Sequence, residues 1–159
     1  MKREGTSRPI HNFPAMSATI PLPEGPAAEE FPELSAEKTT GLAQAVREGI
    51  PAGRFDALKE LLGVSTGTLT EVVGISPSTL SRRRKRGTFD KGESERVLRI
   101  ARIALRAVNV LEGKENARKW LTEPARALGG EAPLQFADTE PGAREVERLL
   151  IRLERGVYS

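Results

Sequence analysis

The sequence predicts an all-α fold, and three observations support this prediction. Aromatic residues make up only 4% of the 159 residues, so the core must come mostly from Leu, Val, Ile and Ala, a composition that favours helices. Apolar residues recur at helical spacing from Ser35 onward. Gly or Pro stands where most of these periodic segments end. The length fits one domain of ordinary size or a pair of small ones.

The first 34 residues differ from the rest of the chain. They contain six of the eleven prolines and no helical period among their apolar residues. A segment of this composition buries too little apolar surface to offset the entropy cost of ordering its backbone. We therefore predict that residues 1–34 form a disordered or extended tail.

Two amphipathic helices are predicted after the tail. The first runs from Ser35 to the stop at Gly49-Ile50-Pro51, and the second from Arg54 to Leu62, where Gly63 ends it. Their apolar positions have the spacing of a buried stripe. They are Leu42, Ala43, Val46 and Ile50 in the first helix, and Phe55, Leu58, Leu61 and Leu62 in the second.

Residues 65–87 carry the sharpest local pattern, STGTLTEVVGISPSTLSRRRKRG, which predicts two short helices joined by a tight turn. Ser65 is a suitable cap for the first helix, and Gly74 can adopt the positive φ that a short turn needs. Ser76 is a suitable cap for the second helix. Pro77 then occupies its first position, where the missing N–H costs nothing.

The apolar residues around this turn have the spacing of the helix-turn-helix of Xre-type repressors, which the segment resembles. They are Leu69, Val73, Ile75 and Leu80. Thr70 departs from that pattern, which prefers Ala or Gly. Five consecutive basic residues, Arg82 to Arg86, follow on the second helix. They favour a polyanionic partner, and we predict that this helix contacts operator DNA.

The phase of the second helix identifies candidate DNA contacts. If Leu80 faces the core, a rotation of about 100° per residue puts Ser78 and Arg82 on the opposite side. The guanidinium of Arg82 suits guanine O6 and N7, whereas the other basic side chains suit phosphates. The predicted DNA-binding residues are Ser76, Ser78, Thr79, Ser81, Arg82, Arg83, Lys85 and Arg86. The alternative is a solvated basic helix without a ligand.

A long helix is predicted from about Asp90 to Glu112. Its apolar residues cover more than one face, so we expect it to pack on two sides. Glu93 and Glu95 lie at its charged start, where solvation or the helix dipole accounts for them better than acid–base catalysis does. We assign residues 35–112 to a DNA-binding and dimerisation region.

Residues 113–159 contain three further helical segments, Glu115 to Leu121, Pro133 to Phe136 and Pro141 to Arg155, the last of which stops at Gly156. Trp120 lies on the first of them. A single Trp on a short amphipathic helix is usually a core residue, and we treat it as structural. Its natural packing partners are Leu121, Leu128 and Leu134.

Many positions of this block, in order, resemble the toxin-binding domain of the Xre/MbcA/ParS antitoxins. They are Trp120-Leu121, Pro124, Leu128-Gly129-Gly130, Pro133-Leu134, Gly142, Val146, Leu149-Leu150, Arg152-Leu153 and Gly156-Val157. The block also follows a helix-turn-helix that resembles the Xre type, which is the domain order of that family. The resemblance spans roughly residues 55–159. We assign residues 113–159 to a toxin-binding domain.

The resemblance implies a type II antitoxin that binds a RES-domain toxin, a class that degrades NAD, and that represses its own operon as a homodimer. In such antitoxins the extreme C-terminus approaches the entrance of the toxin's active site. This implies a toxin-binding set of Arg152, Arg155, Gly156, Val157, Tyr158 and Ser159. An aromatic ring with a polar tip suits insertion into a cleft, and the alternative is a frayed terminus.

The residues also argue against other classes of protein. His11 is the only histidine, cysteine is absent, and phosphate-binding glycine motifs are missing. We therefore expect no enzyme, metal site, cofactor or small-molecule substrate. Without a membrane span or a secretory signal, a cytoplasmic protein is expected. The open alternatives are a helix-turn-helix transcription regulator and a protein-interaction module, neither with a toxin partner.

Overall fold

The structure is a computed structural model that describes residues 29–34 and 39–156. This part of the chain is helical, and its only extended pairing is two isolated bridges, so the all-α prediction is confirmed. Two 3-10 turns cover Pro32–Leu34 and Arg126–Leu128. The eight helices are α1 (Thr39–Glu48), α2 (Gly53–Leu62), α3 (Thr66–Val73), α4 (Pro77–Arg86), α5 (Lys91–Val110), α6 (Lys114–Thr122), α7 (Pro133–Phe136) and α8 (Glu140–Glu154). None of them is long and apolar enough to cross a bilayer.

Helix α5 lies at the centre of the molecule and contacts α1, α2, α3, α6 and α8. Because it has neighbours on several sides, its buried residues cover more than one face, as the sequence predicts. They include Val97, Leu98, Ile100, Ala101, Ile103, Ala104, Leu105 and Ala107. The helix ends at Val110, two residues before the predicted end, since Glu112 has a φ of 57° that no helix residue adopts.

The end of the predicted tail differs from the prediction. Phe31 and Leu34 are 1% and 4% exposed and belong to the hydrophobic core. Glu33 between them accepts hydrogen bonds from Arg54 of α2 at 2.9 and 3.1 Å. Aromatic and aliphatic burial thus fixes residues that their Pro-rich surroundings assigned to a tail. Residues 1–28 lie outside the described residues.

The start of the first predicted helix also needs revision. Helix α1 is described from Thr39, whereas residues 35–38 lie outside the described part. Ala43, predicted on the buried stripe, is exposed, while Leu42 and Val46 are half-buried against the core. Ile50 follows the helix and is buried, and its N–H donates to the Ser94 hydroxyl at 3.0 Å.

The C-terminal helices share one core with the N-terminal ones. Buried side chains from Phe31 to Leu150 form a single cluster, with Trp120 half-buried at its edge. Arg118 of α6 adds a polar link, because its guanidinium donates to the carbonyl oxygens of Leu61 and Glu60 at 3.0 and 2.6 Å. These are carbonyls of the last turn of α2, which have no partner inside their own helix.

Three ion pairs join α5 to α8 at successive positions. Arg99 pairs with Glu140 at 3.0 Å, Arg102 with Glu147 at 2.6 Å, and Arg106 with Glu154 at 2.9 Å. The two helices therefore run in the same direction along this seam. The Arg106 side chain is only 9% exposed, which makes the third pair the most desolvated on its cationic side.

Candidate functional site

The turn between α3 and α4 has the caps that the sequence predicts. The Ser65 hydroxyl accepts the N–H of Thr68 at 3.1 Å, and the Ser76 hydroxyl accepts the N–H of Thr79 at 3.1 Å. Gly74 ends α3 with a φ of 68°, a left-handed conformation that glycine adopts without strain. Local chemistry thus fixes the angle between the two helices.

Two residues around the turn complete its packing. Ile75, in the turn between α3 and α4, is 4% exposed and belongs to the hydrophobic core. Thr70, which departs from the helix-turn-helix pattern, is buried, and its hydroxyl donates to the carbonyl oxygen of Gly67 at 2.7 Å. The departure costs little, because a buried hydroxyl with a partner avoids the desolvation penalty.

Helix α4 turns a polar face outward, as its predicted phase requires. Leu80 is 2% exposed and anchors the helix on the core. The exposed residues among the predicted DNA contacts are Ser76, Ser78, Ser81, Arg82, Lys85 and Arg86, while Thr79 is half-buried. The structure therefore brings seven of the eight predicted residues to one end and one outer face of this helix.

Hydrogen bonds connect the side chains at the start of this face. Arg82 donates to the Thr79 hydroxyl at 3.1 Å, and the Ser76 hydroxyl donates to the same oxygen at 2.9 Å. Ser76 and Ser78 lie 3.1 Å apart, oxygen to oxygen. Both lone pairs of Thr79 are then used by donors, which leaves its own O–H and most Arg82 N–H groups for an outside acceptor.

Arg83 is less exposed than its neighbours Arg82 and Arg84, although the sequence groups it with the other basic residues. Its guanidinium donates to Glu93 at 2.7 and 3.0 Å and to Asp90 at 3.2 Å. Glu93 also completes the capping box at the start of α5 with Asp90. The side chain of Arg83 is 18% exposed and holds α4 against α5, so it is not free to contact a phosphate in this arrangement.

Glu93 is buried, contrary to the solvated helix start that its sequence suggests. Burial by itself raises the pKa of this carboxyl, but hydrogen bonds from Arg83 and from the Asp90 N–H outweigh it and lower the pKa below its ordinary value. The same hydrogen bond raises the pKa of Arg83. The pair is therefore fully charged at neutral pH.

Arg84 is the one basic residue of the run that the predicted DNA-binding set leaves out. Its guanidinium lies 5.9 Å from the ring centroid of Phe55 and donates to Asp56 at 2.7 Å. These contacts tie the last turns of α4 to α2, on the same side of the helix as Leu80. Of the five consecutive basic residues, Arg82, Lys85 and Arg86 have no acidic partner within the described residues.

Three of the six predicted toxin-binding residues lie at the end of α8. Arg152, Arg155 and Gly156 are exposed at the last turn of the helix and just after it. Val157, Tyr158 and Ser159 lie outside the described residues. The start of α8 is fixed by Thr139, whose hydroxyl accepts the Gly142 N–H at 3.2 Å. A methyl group at Gly142 would overlap the Phe136 carbonyl oxygen, so only glycine fits there.

Two family models match successive parts of the chain. Residues 41–102 match the antitoxin Xre-like helix-turn-helix domain. Residues 106–156 match the antitoxin Xre/MbcA/ParS C-terminal toxin-binding domain. The first match contains α4 with its basic face, and the second contains α6, α7 and α8.

Curated relatives agree with these matches over most of the chain. An antitoxin Xre of Photorhabdus laumondii is 34% identical over 131 residues, which cover 81% of this chain and 86% of the relative. An antitoxin Xre of Yersinia enterocolitica is 34% identical over 128 residues, with 79% and 86% covered. This chain is therefore similar to these antitoxins in both of its parts.

A solved structure shows a similar fold. A chain of the crystal structure of the M. tuberculosis MbcT–MbcA toxin–antitoxin complex has a TM-score of 0.53 and 20% identity to this protein. The superposition covers 68% of this chain and 96% of the other. The match to the curated relatives extends over four fifths of the chain. The chain therefore belongs to the Xre/MbcA/ParS family of antitoxins, with a helix-turn-helix domain followed by a toxin-binding domain.

Proposed function

We propose that this antitoxin inhibits a RES-domain toxin that degrades NAD, and that it represses its own operon as a homodimer. The observation that carries the proposal is the order of the two matched domains within one continuous core. One domain carries a basic helix on its surface and the other is of the toxin-binding class. A single folded unit can then bind DNA and toxin on different faces.

The DNA arm of the proposal rests on α4. Ser78 and Arg82 are exposed opposite Leu80, so they are the proposed base contacts. Lys85 and Arg86 are proposed to hold phosphates, while Arg83 is proposed to position the helix through Glu93. In a homodimer, two such helices would occupy half-sites about 34–36 Å apart.

The toxin arm rests on the end of α8. Arg152, Arg155 and Gly156 are exposed there and lead directly into Val157, Tyr158 and Ser159. We propose that these six residues contact the toxin and that the last three cover its NAD pocket. Inhibition is then steric, because bound antitoxin excludes the substrate from the toxin.

The test is co-expression of this chain with the protein encoded beside it, followed by size-exclusion chromatography and a measurement of cellular NAD. A complex that forms, and NAD that is preserved only when this chain is present, is the expected result. If no complex forms and NAD is not protected, the chain is not the antitoxin of that protein.

Two variants separate the arms of the proposal. Arg82→Ala is expected to weaken operator binding and leave NAD protection intact. Deletion of residues 157–159 is expected to do the opposite. Arg47→Ala, at an exposed position on α1, serves as the control for both assays. Equal damage to both activities by both variants contradicts the assignment of separate surfaces.

A further inference from the structure

The sequence of helix α8 contains acidic and basic residues in equal number, but the structure engages the two kinds differently. It and the residue after it contain four glutamates and four arginines. The glutamates are Glu140, Glu145, Glu147 and Glu154, and the arginines are Arg144, Arg148, Arg152 and Arg155. In the sequence the two signs are interspersed and equal in number, and a solvated helix with internal ion pairs would be expected.

The glutamates are mostly engaged on the inner side of the helix. Glu140, Glu147 and Glu154 accept hydrogen bonds from the three α5 arginines of the seam at 3.0, 2.6 and 2.9 Å. The fourth, Glu145, pairs with Arg148 on α8 itself at 2.9 Å. Most of the negative charge of α8 is thus neutralised by another helix.

The four arginines all remain exposed on the outer side. We call them the arginine stripe. Arg144 and Arg148 have side chains 67% and 65% exposed, each with one short-range glutamate partner. Arg152 and Arg155 have no acidic partner within the described residues. The spacing of four, four and three residues keeps the stripe along one side of the helix.

The seam and the stripe, with their glutamate partners, together contain seven arginines and four glutamates. The excess positive charge therefore appears on the outer side of α8, although the whole region of residues 113–159 is neutral. A partner that covers this side must supply negatively charged groups, because unpaired arginines lose hydration at an interface without compensation.

We infer that the arginine stripe of α8 is the docking surface for an acidic face of the toxin. The inference rests on the proposed function. The stripe lies within the part of the chain that matches the toxin-binding domain, residues 106–156. In the sequence, the stripe ends at Arg155, one residue before Gly156, and both residues belong to the proposed toxin-binding set.

The position of the stripe favours a protein over DNA as its partner. Helix α4 is attached near the start of α5, at Asp90 and Glu93, whereas the end of α8 is attached at Arg106. At about 1.5 Å per residue, these attachment points lie roughly 20 Å apart along α5. DNA held by α4 and a toxin held by the stripe then occupy different ends of the molecule.

The test uses the full chain and the purified protein encoded beside it. Dissociation constants of their complex are measured at several salt concentrations for the wild type and for a double variant, Arg148→Glu with Arg152→Glu. We expect affinity to fall at least about tenfold at low salt, mainly through slower association, and the wild-type dependence on salt to become weaker.

A matched control changes the same number of charges elsewhere. Arg47→Glu with Arg126→Glu alters two exposed arginines outside the stripe and is expected to change affinity less than about threefold. Arg148→Gln with Arg152→Gln removes charge without adding repulsion beside Glu145 and is expected to give an intermediate loss. Thermal unfolding of each variant verifies that it folds.

The outcomes distinguish this inference from the proposed function. If the wild type forms no complex with the neighbouring protein, both fail together. If it forms a complex that the stripe and control variants weaken equally, the stripe inference is wrong while the antitoxin function stands. If the stripe variants lose DNA affinity and keep toxin affinity, the stripe contacts nucleic acid, which also overturns the inference.

Discussion

Helix α4 and helix α8 both present arginines to solvent, but different contacts hold them in place. The ends of α4 are set by Ser76 and Gly87, next to the helix itself. Its main ion pair, between Arg83 and Glu93, joins residues ten positions apart. Helix α8 is held by ion pairs with α5 whose partners are 41 to 48 residues apart.

Because of this difference, the charges along the sequence describe the surface of α4 better than that of α8. On α4, Arg83 has its partner ten residues away and Arg84 pairs with Asp56, 28 residues away. The other three of the five basic residues remain without an acidic partner within the described residues. On α8, distant residues decide which charges are paired, because α5 takes up the glutamates and leaves the arginines outside. A count of charges along α8 therefore says little about its surface.

The largest effect is expected from a change at the start of α8. Gly142→Ala places a methyl group against the Phe136 carbonyl oxygen, and we expect the free energy of unfolding to fall by roughly 1–3 kcal/mol. Gly67→Ala in α3 is the matched control. Only the Ser65 hydroxyl lies within 4 Å of the new atom there, so stability should rise by about 0.5–1 kcal/mol. Urea unfolding measures both, and an unchanged Gly142→Ala variant would show that α8 tolerates movement of its first turn.

The second effect tests the seam itself. Glu154→Ala removes the only hydrogen bond that the buried Arg106 guanidinium makes to a described residue, and its Nε already lacks one. We expect a loss of about 1–3 kcal/mol in unfolding free energy, from an unsatisfied buried cation. Glu115→Ala breaks an exposed pair with Arg118, which should cost under about 1 kcal/mol. Equal losses would mean that the seam contributes no more than a surface pair.

A third effect concerns pH and the contact between α4 and α5. Because the folded pKa of Glu93 lies below its ordinary value, ionised Glu93 stabilises the fold at neutral pH. That contribution is lost as pH falls from the ordinary glutamate range, near 4.3, through the lower folded value. The stability difference between wild type and Glu93→Gln should therefore be full at pH 7 and shrink in acid. Glu95→Gln, at an exposed position, is the control, and a difference that stays constant down to acid pH contradicts the prediction.

The smallest effect is expected in the salt dependence of DNA binding. It distinguishes the basic side chains of α4 that have an acidic partner among the described residues from those that have none. Lys85→Gln should reduce the slope of log affinity for operator DNA against log salt by about 0.9, as one phosphate contact is lost. Arg84→Gln should leave the slope unchanged, since Arg84 is already paired with Asp56 and packed over Phe55. Equal changes in slope would show that DNA displaces the Arg84 contacts.

The sequence predicts the helix-turn-helix well because its signals are local. Ser65, Gly74, Ser76 and Pro77 act on groups within a few residues, and the structure confirms the role of each. The bounds of α7 are also as predicted, and those of α2 and α8 agree to within a residue. Capping and periodicity are sufficient where a helix is short and its ends are marked.

Other features depend on contacts that no local pattern contains. Glu93 was expected at a solvated helix start and is instead buried against Arg83. Phe31 and Leu34 were assigned to a tail because of the prolines around them, although they belong to the hydrophobic core and the turn Pro32–Leu34 contacts α1. The close approach of Gly142 to Phe136 is set by the packing of two helices. Only the three-dimensional arrangement reveals these pairings.

The central position of α5 constrains how the two matched domains can be joined. The helix-turn-helix match ends at residue 102 and the toxin-binding match begins at residue 106, so the junction falls inside α5. Its three junction residues, Ile103, Ala104 and Leu105, are all buried. Inserting a single residue there would rotate one half against the other by about 100°. The two matched domains therefore keep their relative orientation only where the helical phase across residues 103–105 is kept.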